Sequence, residues 1–433
     1  SGDTVTLAAG ASQSGFGQTY SAVSWDTTPK TGLFTAVSGV GYFCNTTSAP
    51  FTVTLPAGTA GDIVAFADYA ATWQTNAVTV SPNGTDKIGS VNANATLNTE
   101  GQSVTFVYVD STQGWINTMD STSNARGEVP FMTASVSGAC NTLVTAPDCA
   151  NVKIATFLGP GTFTVCQAST TPANNEVSYM VVAGGGSGGT PSGSGGSAGG
   201  GGGGFREDQS PTAPYTASPL EGAGPITVTA TGFPITVGGG GASKPSGPIC
   251  GGAGAGNPGN NSIFSTITST GGGGGGGGDP VGCGENGLPG GSGGGARYGP
   301  HSGGTGNTPP TSPAQGQNGG NTPGATRSAS GGGGAGAVGS NGYPGSGYPT
   351  GANPGGPGGA GVTTEITASP VAYAGGGGGG RYAGSQGSGG TGGGGASGTT
   401  GVNGTDNTGG GGGGGSFPAT GPSGAGGSGI VII

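Results

Sequence analysis

The chain has 433 residues, of which 112 are glycine, and only 6% carry charge, giving a net charge of −9. An acidic chain of this kind argues against nucleic acid and anionic membrane surfaces as partners. No apolar run reaches the length of a membrane span, and the closing Gly429–Ile433 is far too short for one. Opening on Ser1 suggests a processed or trimmed start.

Residues 1–125 read as a β-sandwich-like module. Thr52–Leu55, Ile63–Ala67, Ala77–Val80 and Val104–Val109 carry β-branched and aromatic residues in partial alternation, which predicts strands. Ser81-Pro82-Asn83-Gly84 predicts a turn, because proline fixes φ and Asn-Gly tolerates positive φ. No window shows a helical period. Trp25, Trp73 and Trp115 all fall here and are expected in the core.

Residues 126–180 form a smaller cysteine-bearing β unit, in which Val152–Phe157 and Thr162–Cys166 flank Leu158-Gly159-Pro160-Gly161 and predict a hairpin. The cysteines are Cys44, Cys140, Cys149, Cys166, Cys250 and Cys283, with no CxxC pair, which speaks against zinc or thioredoxin-like chemistry. The even number suits disulfides outside the cytosol or buried thiols, and the spacings favour Cys140 with Cys149 and Cys250 with Cys283.

Residues 181–433 follow a different grammar. Of the 112 glycines, 95 lie after residue 183, in runs such as Gly199–Gly204, Gly271–Gly278, Gly375–Gly380 and Gly409–Gly415. Short apolar strands lead into these runs: YMVVAGGG from Tyr179, ITVGGGG from Ile235, SIFSTITST before Gly271, and EITASPVAYA before Gly375. Glycine does not fall at every third position, so collagen is excluded. An isolated glycine helix is unstable: each hydrogen bond contributes about 0.5–1.5 kcal/mol, whereas ordering each backbone costs about 1–2 kcal/mol. A bundle of extended polyglycine helices survives if the apolar strands anchor its ends or chains associate. The fold class expected is therefore all-β: a sandwich-like module, then packed extended glycine helices with short strands, the alternative being that the runs are flexible linkers.

Two stretches resemble a known family. Phe51–Trp115, beginning FTVTLPAGTAGDIVAFADYAATW, resembles a β module repeated in the tail-fibre proteins of tailed bacteriophages. YMVVAGGGSGG through GGGGFRE, with the closing GGSGIVII, resembles the glycine-rich domains that end such fibres. The resemblance covers roughly residues 50–433. It implies polyglycine helix bundles whose end loops touch a host surface, and a virion or extracellular location. Polyglycine bundles also occur in antifreeze proteins, which lack the N-terminal module.

The residues offer no catalytic constellation. His301, the only histidine, lies in YGPHSGG without a GxSxG partner motif. Asp62 and Asp68 flank a strand, and a solvated strand end explains them better than paired acid–base catalysis. The chain is expected to be no enzyme and to need neither metal nor cofactor. Aromatic and cationic residues beside the glycine runs are the binding candidates: Phe205, Arg206, Arg297, Tyr298, Tyr343, Tyr348, Arg381 and Tyr382, with Phe417 nearby. Aromatic faces stack on sugars and arginine pairs with acidic glycans; the same residues could instead seal the glycine array. Ile430, Val431, Ile432 and Ile433 are the assembly candidates, pairing with another chain or, within the chain, beside Val181–Ala183. The expected partners are further copies, as a homotrimer or head-to-tail filament, and a host-surface glycan. The leading expectation is an adhesive tail-fibre-like protein; a purely structural extracellular filament subunit and an ice-binding protein are the alternatives.

Overall fold

The computed structural model describes residues 23–121, 130–147, 149–191, 195–247, 254–278, 285–343 and 353–433. Among these it is all β, with a single four-residue 3-10 turn at Pro172–Asn175. The chain divides after Gly127 into two compact units.

The first unit contains β1 (Ser24–Lys30), β2 (Phe34–Thr35), β3 (Val40–Cys44), β4 (Phe51–Thr54), β5 (Ile63–Asp68), β6 (Val78–Ser81), β7 (Ala95–Leu97), β8 (Ser103–Tyr108) and β9 (Trp115–Ser121). The chain alternates between two sheets, ordered β1-β3-β5-β8-β9 and β2-β4-β6-β7. Parallel neighbours need a crossover. Here each crossover is made by a strand of the other sheet, so β1, β3 and β5 pair in parallel, as do β2, β4 and β6. Inward residues of both sheets share one core, including Tyr42, Val64, Phe66 and Phe106 from one and Val53, Val78, Val80 and Leu97 from the other. The turn forms two residues later than predicted, at Asn83–Asp86, where Asp86 N donates to Asn83 O and Gly84 takes φ +53°, because Ser81 still belongs to β6. Trp73 and Trp115 are fully buried, but Trp25 is 41% exposed and rests on Phe43 with ring centroids 4.9 Å apart. The expectation of three core tryptophans therefore fails at Trp25, which sits on edge strand β1.

The second unit contains β10 (Thr133–Ser137), β11 (Thr142–Ala146), β12 (Cys149–Phe157), β13 (Gly161–Gln167), β14 (Glu176–Val177), β15 (Tyr179–Val182), β16 (Phe205–Asp208), β17 (Ile226–Thr227), β18 (Gly232–Thr236), β19 (Ser262–Phe264) and β20 (Ile267–Ser269). It continues with β21 (Arg297–His301), β22 (Thr322–Ala329), β23 (Val362–Thr364), β24 (Val371–Tyr373) and β25 (Ile430–Ile432). Two five-stranded sheets dominate, ordered β10-β13-β18-β19-β20 and β11-β12-β25-β15-β16. They enclose a core in which Phe163, Val165, Ile235 and Phe264 meet Ala155, Phe157, Val181 and Val431. Met180, Val182, Ile430 and Ile432 point the other way, onto Val362, Ile366 and Tyr373. The sheet holding β15 and β25 is thus buried on both faces, which is why YMVV and IVI are continuous apolar runs rather than alternating ones.

Three expectations are corrected here, and one of two alternatives forms. The predicted hairpin does not form: β12 pairs with β11 and β25, and β13 with β10 and β18, because the chain crosses from one sheet to the other at Leu158–Pro160. Residues 126–180 do not stand apart, since their strands share sheets with β18 and β25. Cys140 and Cys149 are free thiols. The β11–β12 register pairs Thr142 with Thr156 and Ala146 with Cys149, so the two cysteines sit at opposite ends of that hairpin, beyond disulfide reach. Finally, Ile430–Ile432 has both edges filled within its own chain, Met180 and Val182 on one side and Phe157 on the other. Of the two pairings expected for this strand, the intramolecular one forms. Cys250, Cys283 and Tyr348 lie outside the described residues.

Candidate functional site

The glycine segments leave the ends of these strands as further partners of the same ladders. Ala183, just after β15, donates to the carbonyl of Gly204, just before β16. Along 183–190 the acceptors then repeat every third residue. Ala183, Gly186 and Gly189 donate to Gly204, Gly201 and Ala198; Gly184, Ser187 and Thr190 donate to Asn260, Asn257 and Gly254; Gly185 and Gly188 donate to Gly427 and Gly424. Along 196–204 the pattern recurs. Ser197, Gly200 and Gly203 donate to Gly415, Gly412 and Gly409, and Ala198, Gly201 and Gly204 donate to Gly276, Gly273 and Thr270. Gly196, Gly199 and Gly202 donate to Arg327, Ser330 and Gly333. Acceptor numbers fall in the first two series and rise in the third, so antiparallel and parallel neighbours coexist around one segment.

Such mutual approach leaves no room for side chains. A Cβ on Gly184 would lie 2.1 Å from the carbonyl oxygen of Gly239, and one on Gly200 would lie 2.1 Å from that of Gly186. At Ser262 a side chain takes the place of a missing peptide. Ser262 Oγ donates to the Val182 carbonyl at 2.8 Å and accepts from Gly238 N at 2.9 Å. At the rim, the carboxamide oxygens of Asn318, Asn321, Asn341 and Asn403 accept backbone N–H groups of Gly306, Gly303, Asn321 and Ala425. The sequence singles out none of them for this role; Asn403 stands out only as the start of an Asn-Gly-Thr sequon. Their signal is weak: three of the four precede glycine, and an Asn-Gly pair reads as an ordinary turn.

The registers sort the candidate binding residues to two ends of the array. Phe205 and Arg206 stand at the sheet end, where Val182 pairs with Phe205. Arg297, Arg327 and Arg381 gather at the opposite end. Arg297 Nε donates to Gly196 O at 2.6 Å, Gly196 N donates to Arg327 O, and Gly380, next to Arg381, donates to Ser197 O. These are three of the chain's nine lysines and arginines. The Arg327 guanidinium lies 5.1 Å from the Tyr382 ring centre, and that ring stacks on Phe417 at 4.8 Å. Arg381 Nη1 donates to Gly384 O at 2.7 Å. Tyr343, whose carbonyl accepts from Ser328 Oγ, is 63% exposed at this end.

Two candidates are ruled out as surface contacts. Phe205 is 1% exposed and belongs to a core cluster, because β16 completes the doubly buried sheet. Arg297 is 3% exposed, drawn inward by the Gly196 carbonyl. Arg206, Tyr298, Arg381 and Tyr382 are half-buried. Asp62 is engaged by Ser38 Oγ and Thr59 N, and Asp68 by Thr72 N, Trp73 N and Gly101 N, so both organise turns. His301 ends β21, with Nδ1 3.3 Å from Asn286 Oδ1.

A buried polar group also lies at the sheet end. Glu207 is fully buried, held by Ser218 N at 2.9 Å and by the Thr364 hydroxyl. Burial, reinforced by Glu207, pushes the Tyr215 phenol up, and the same two causes raise Tyr373 to about 12. Burial also raises the neighbouring Asp208 carboxyl.

Residues 160–433 match the family model described as a glycine-rich domain. No curated protein matches the chain. The chain belongs to the glycine-rich domain family.

Proposed function

We propose that this chain is a structural and adhesive fibre protein of tail-fibre type, acting outside the cell or on a virion. Its glycine segments are read as threefold extended polyglycine helices. The observation that carries this reading is the repeat of hydrogen-bond partners at every third residue along 183–190 and 196–204. A helix of three residues per turn sends its amides outward in three directions and rises about 3.1 Å per residue, so 197–204 would span roughly 25 Å. With no side chains to tether, such a bundle forms a stiff post between the β-sheets and its far loops.

The surface reading rests on the cationic end. A chain of net charge −9 collects Arg327 and Arg381 there, with exposed Tyr343 and the Tyr382–Phe417 stack. Arginine recognises carboxylate or sulfate in pairs of parallel bonds, and aromatic edges and faces pack on sugar rings. The ligand class that fits is an acidic surface glycan of a host cell. An array of acidic and neutral oligosaccharides tests it with the full chain and with R327Q/R381Q. Binding confined to acidic glycans and lost in the double variant is expected. Absence of glycan binding, or binding unaffected by the double change, would reject the adhesive reading and leave a purely structural fibre. Self-association into trimers or filaments is measured separately, by light scattering and electron microscopy.

A further inference from the structure

A cleft of about 460 Å³ opens in the second unit, between β11–β12, the segment 174–178, and the loops 210–215 and 365–368. That volume falls inside the range of about 300–1,000 Å³ typical of small-molecule sites. Its walls are largely apolar, with Met132, Leu143, Val152, Val177, Ile366 and Ile433 among them. The fibre reading makes no use of it.

Its charge pattern defines what fits. Glu176 and Glu365 line the cleft, and Lys153 is its one lining cation among the described residues. The Lys153 ammonium is engaged, donating to Thr145 Oγ1 at 2.8 Å. Further carboxylates stand close behind. Glu207 acts on the lining residue Tyr215, as does Glu221, and Glu176 acts on Asp208. An anion entering this cleft meets repulsion, whereas a cation with an apolar body finds both apolar walls and carboxylates.

We propose that this cleft binds a small apolar amine, its ammonium group facing Glu176 and Glu365 and its hydrophobic body lying against Met132, Val177 and Ile366. Cys149 marks the site from within: its thiol is free, half-buried and part of the lining.

Dansylcadaverine, a monocationic amine with a naphthalene ring, is the probe, and the anionic dye anilinonaphthalene sulfonate is the comparator, both with the full chain. The amine should bind at least about tenfold more tightly than the anion. It should slow alkylation of Cys149 by iodoacetamide without slowing that of exposed Cys166, as read by peptide mass. Ala213→Trp fills the cleft at a residue whose hydrogen bonds run only through its backbone, and should abolish both effects at unchanged net charge. Glu176→Gln with Glu365→Gln should weaken the amine about tenfold and leave the circular dichroism spectrum intact. Equal binding by Ala213→Trp, failure to protect Cys149, or preference for the anion would each overturn the proposal. Should Ala213→Trp unfold, the double glutamine variant and the Cys149 protection still decide it.

Discussion

A Cβ built on Gly274 would lie 2.0 Å from the carbonyl oxygen of Gly256. No rotamer relieves that clash, because both atoms are fixed by backbone. Gly274→Val should therefore destabilise the second unit by at least about 2 kcal/mol, in the upper range for overpacked cores. Gly247 is the control: nothing lies within 4 Å of its Cβ position. Gly247→Ala should stay within about 0.5 kcal/mol of the parent, as surface changes do. Denaturant unfolding of both variants checks the contrast, and equal stability of the two would reject close packing at Gly274.

Ile432 pairs with Met180 and with Thr156, and it is fully buried. Ile432→Ala should cost about 2–5 kcal/mol, the usual range for such a truncation in a core. Because both strand edges are filled within the chain, the molar mass by light scattering should not change. A drop in mass without a drop in stability would mean that Ile430–Ile433 serves association instead.

Asp68 accepts hydrogen bonds from Thr72 N, Trp73 N and Gly101 N at 3.1, 3.2 and 3.0 Å. Its removal leaves three backbone donors to find new partners, each at a cost of about 1–3 kcal/mol when it fails. Asp68→Ala should lower the stability of the first unit by about 3 kcal/mol or more. Tryptophan fluorescence reads this unit alone, since all three tryptophans belong to it. A loss below about 0.5 kcal/mol would show that water replaces the carboxylate without penalty.

How much of this was legible in the sequence differs between the units. Strand positions such as Ile63–Asp68 and Val78–Ser81 follow from β-branched alternation, and the anchoring of glycine runs by YMVV and IVII follows from apolar runs placed against them. Most pairing partners were not legible, although IVII beside Val181–Ala183 was one of the two pairings expected for that strand. The run Val152–Gln167 has the pattern of a hairpin, yet its two strands join different sheets, because tertiary burial of Phe157 and Phe163 decides the pairing. The ends of the array were illegible for a related reason. Phe205-Arg206 and Arg381-Tyr382 look alike in sequence, and only the direction of each glycine segment sends one pair to the sheets and the other to the far end. Glu207 gives no local sign of burial; its partners Ser218 and Thr364 are distant in the chain.

The buried Cys44 thiol is pushed up from 9.0 to about 12, first by burial and then by the nearby Asp68 carboxylate. In the unfolded chain the thiol ionises near its ordinary value, whereas in the fold it stays protonated. Between those values the unfolded state holds fewer protons than the folded one. Stability is therefore fully present below about pH 9 and falls as pH rises toward 12, by about 1.4 kcal/mol per pH unit for one such group. Tyr108, also raised by burial, adds to the decline in the same unit. Urea midpoints followed by tryptophan fluorescence from pH 8 to 11.5 should show this slope, and Cys44→Ala should reduce it by about one proton's worth. The absolute stability of Cys44→Ala is not the readout, because removing sulfur from a packed core carries its own cost. If the slope of Cys44→Ala equals that of the parent, Cys44 is not the group that titrates.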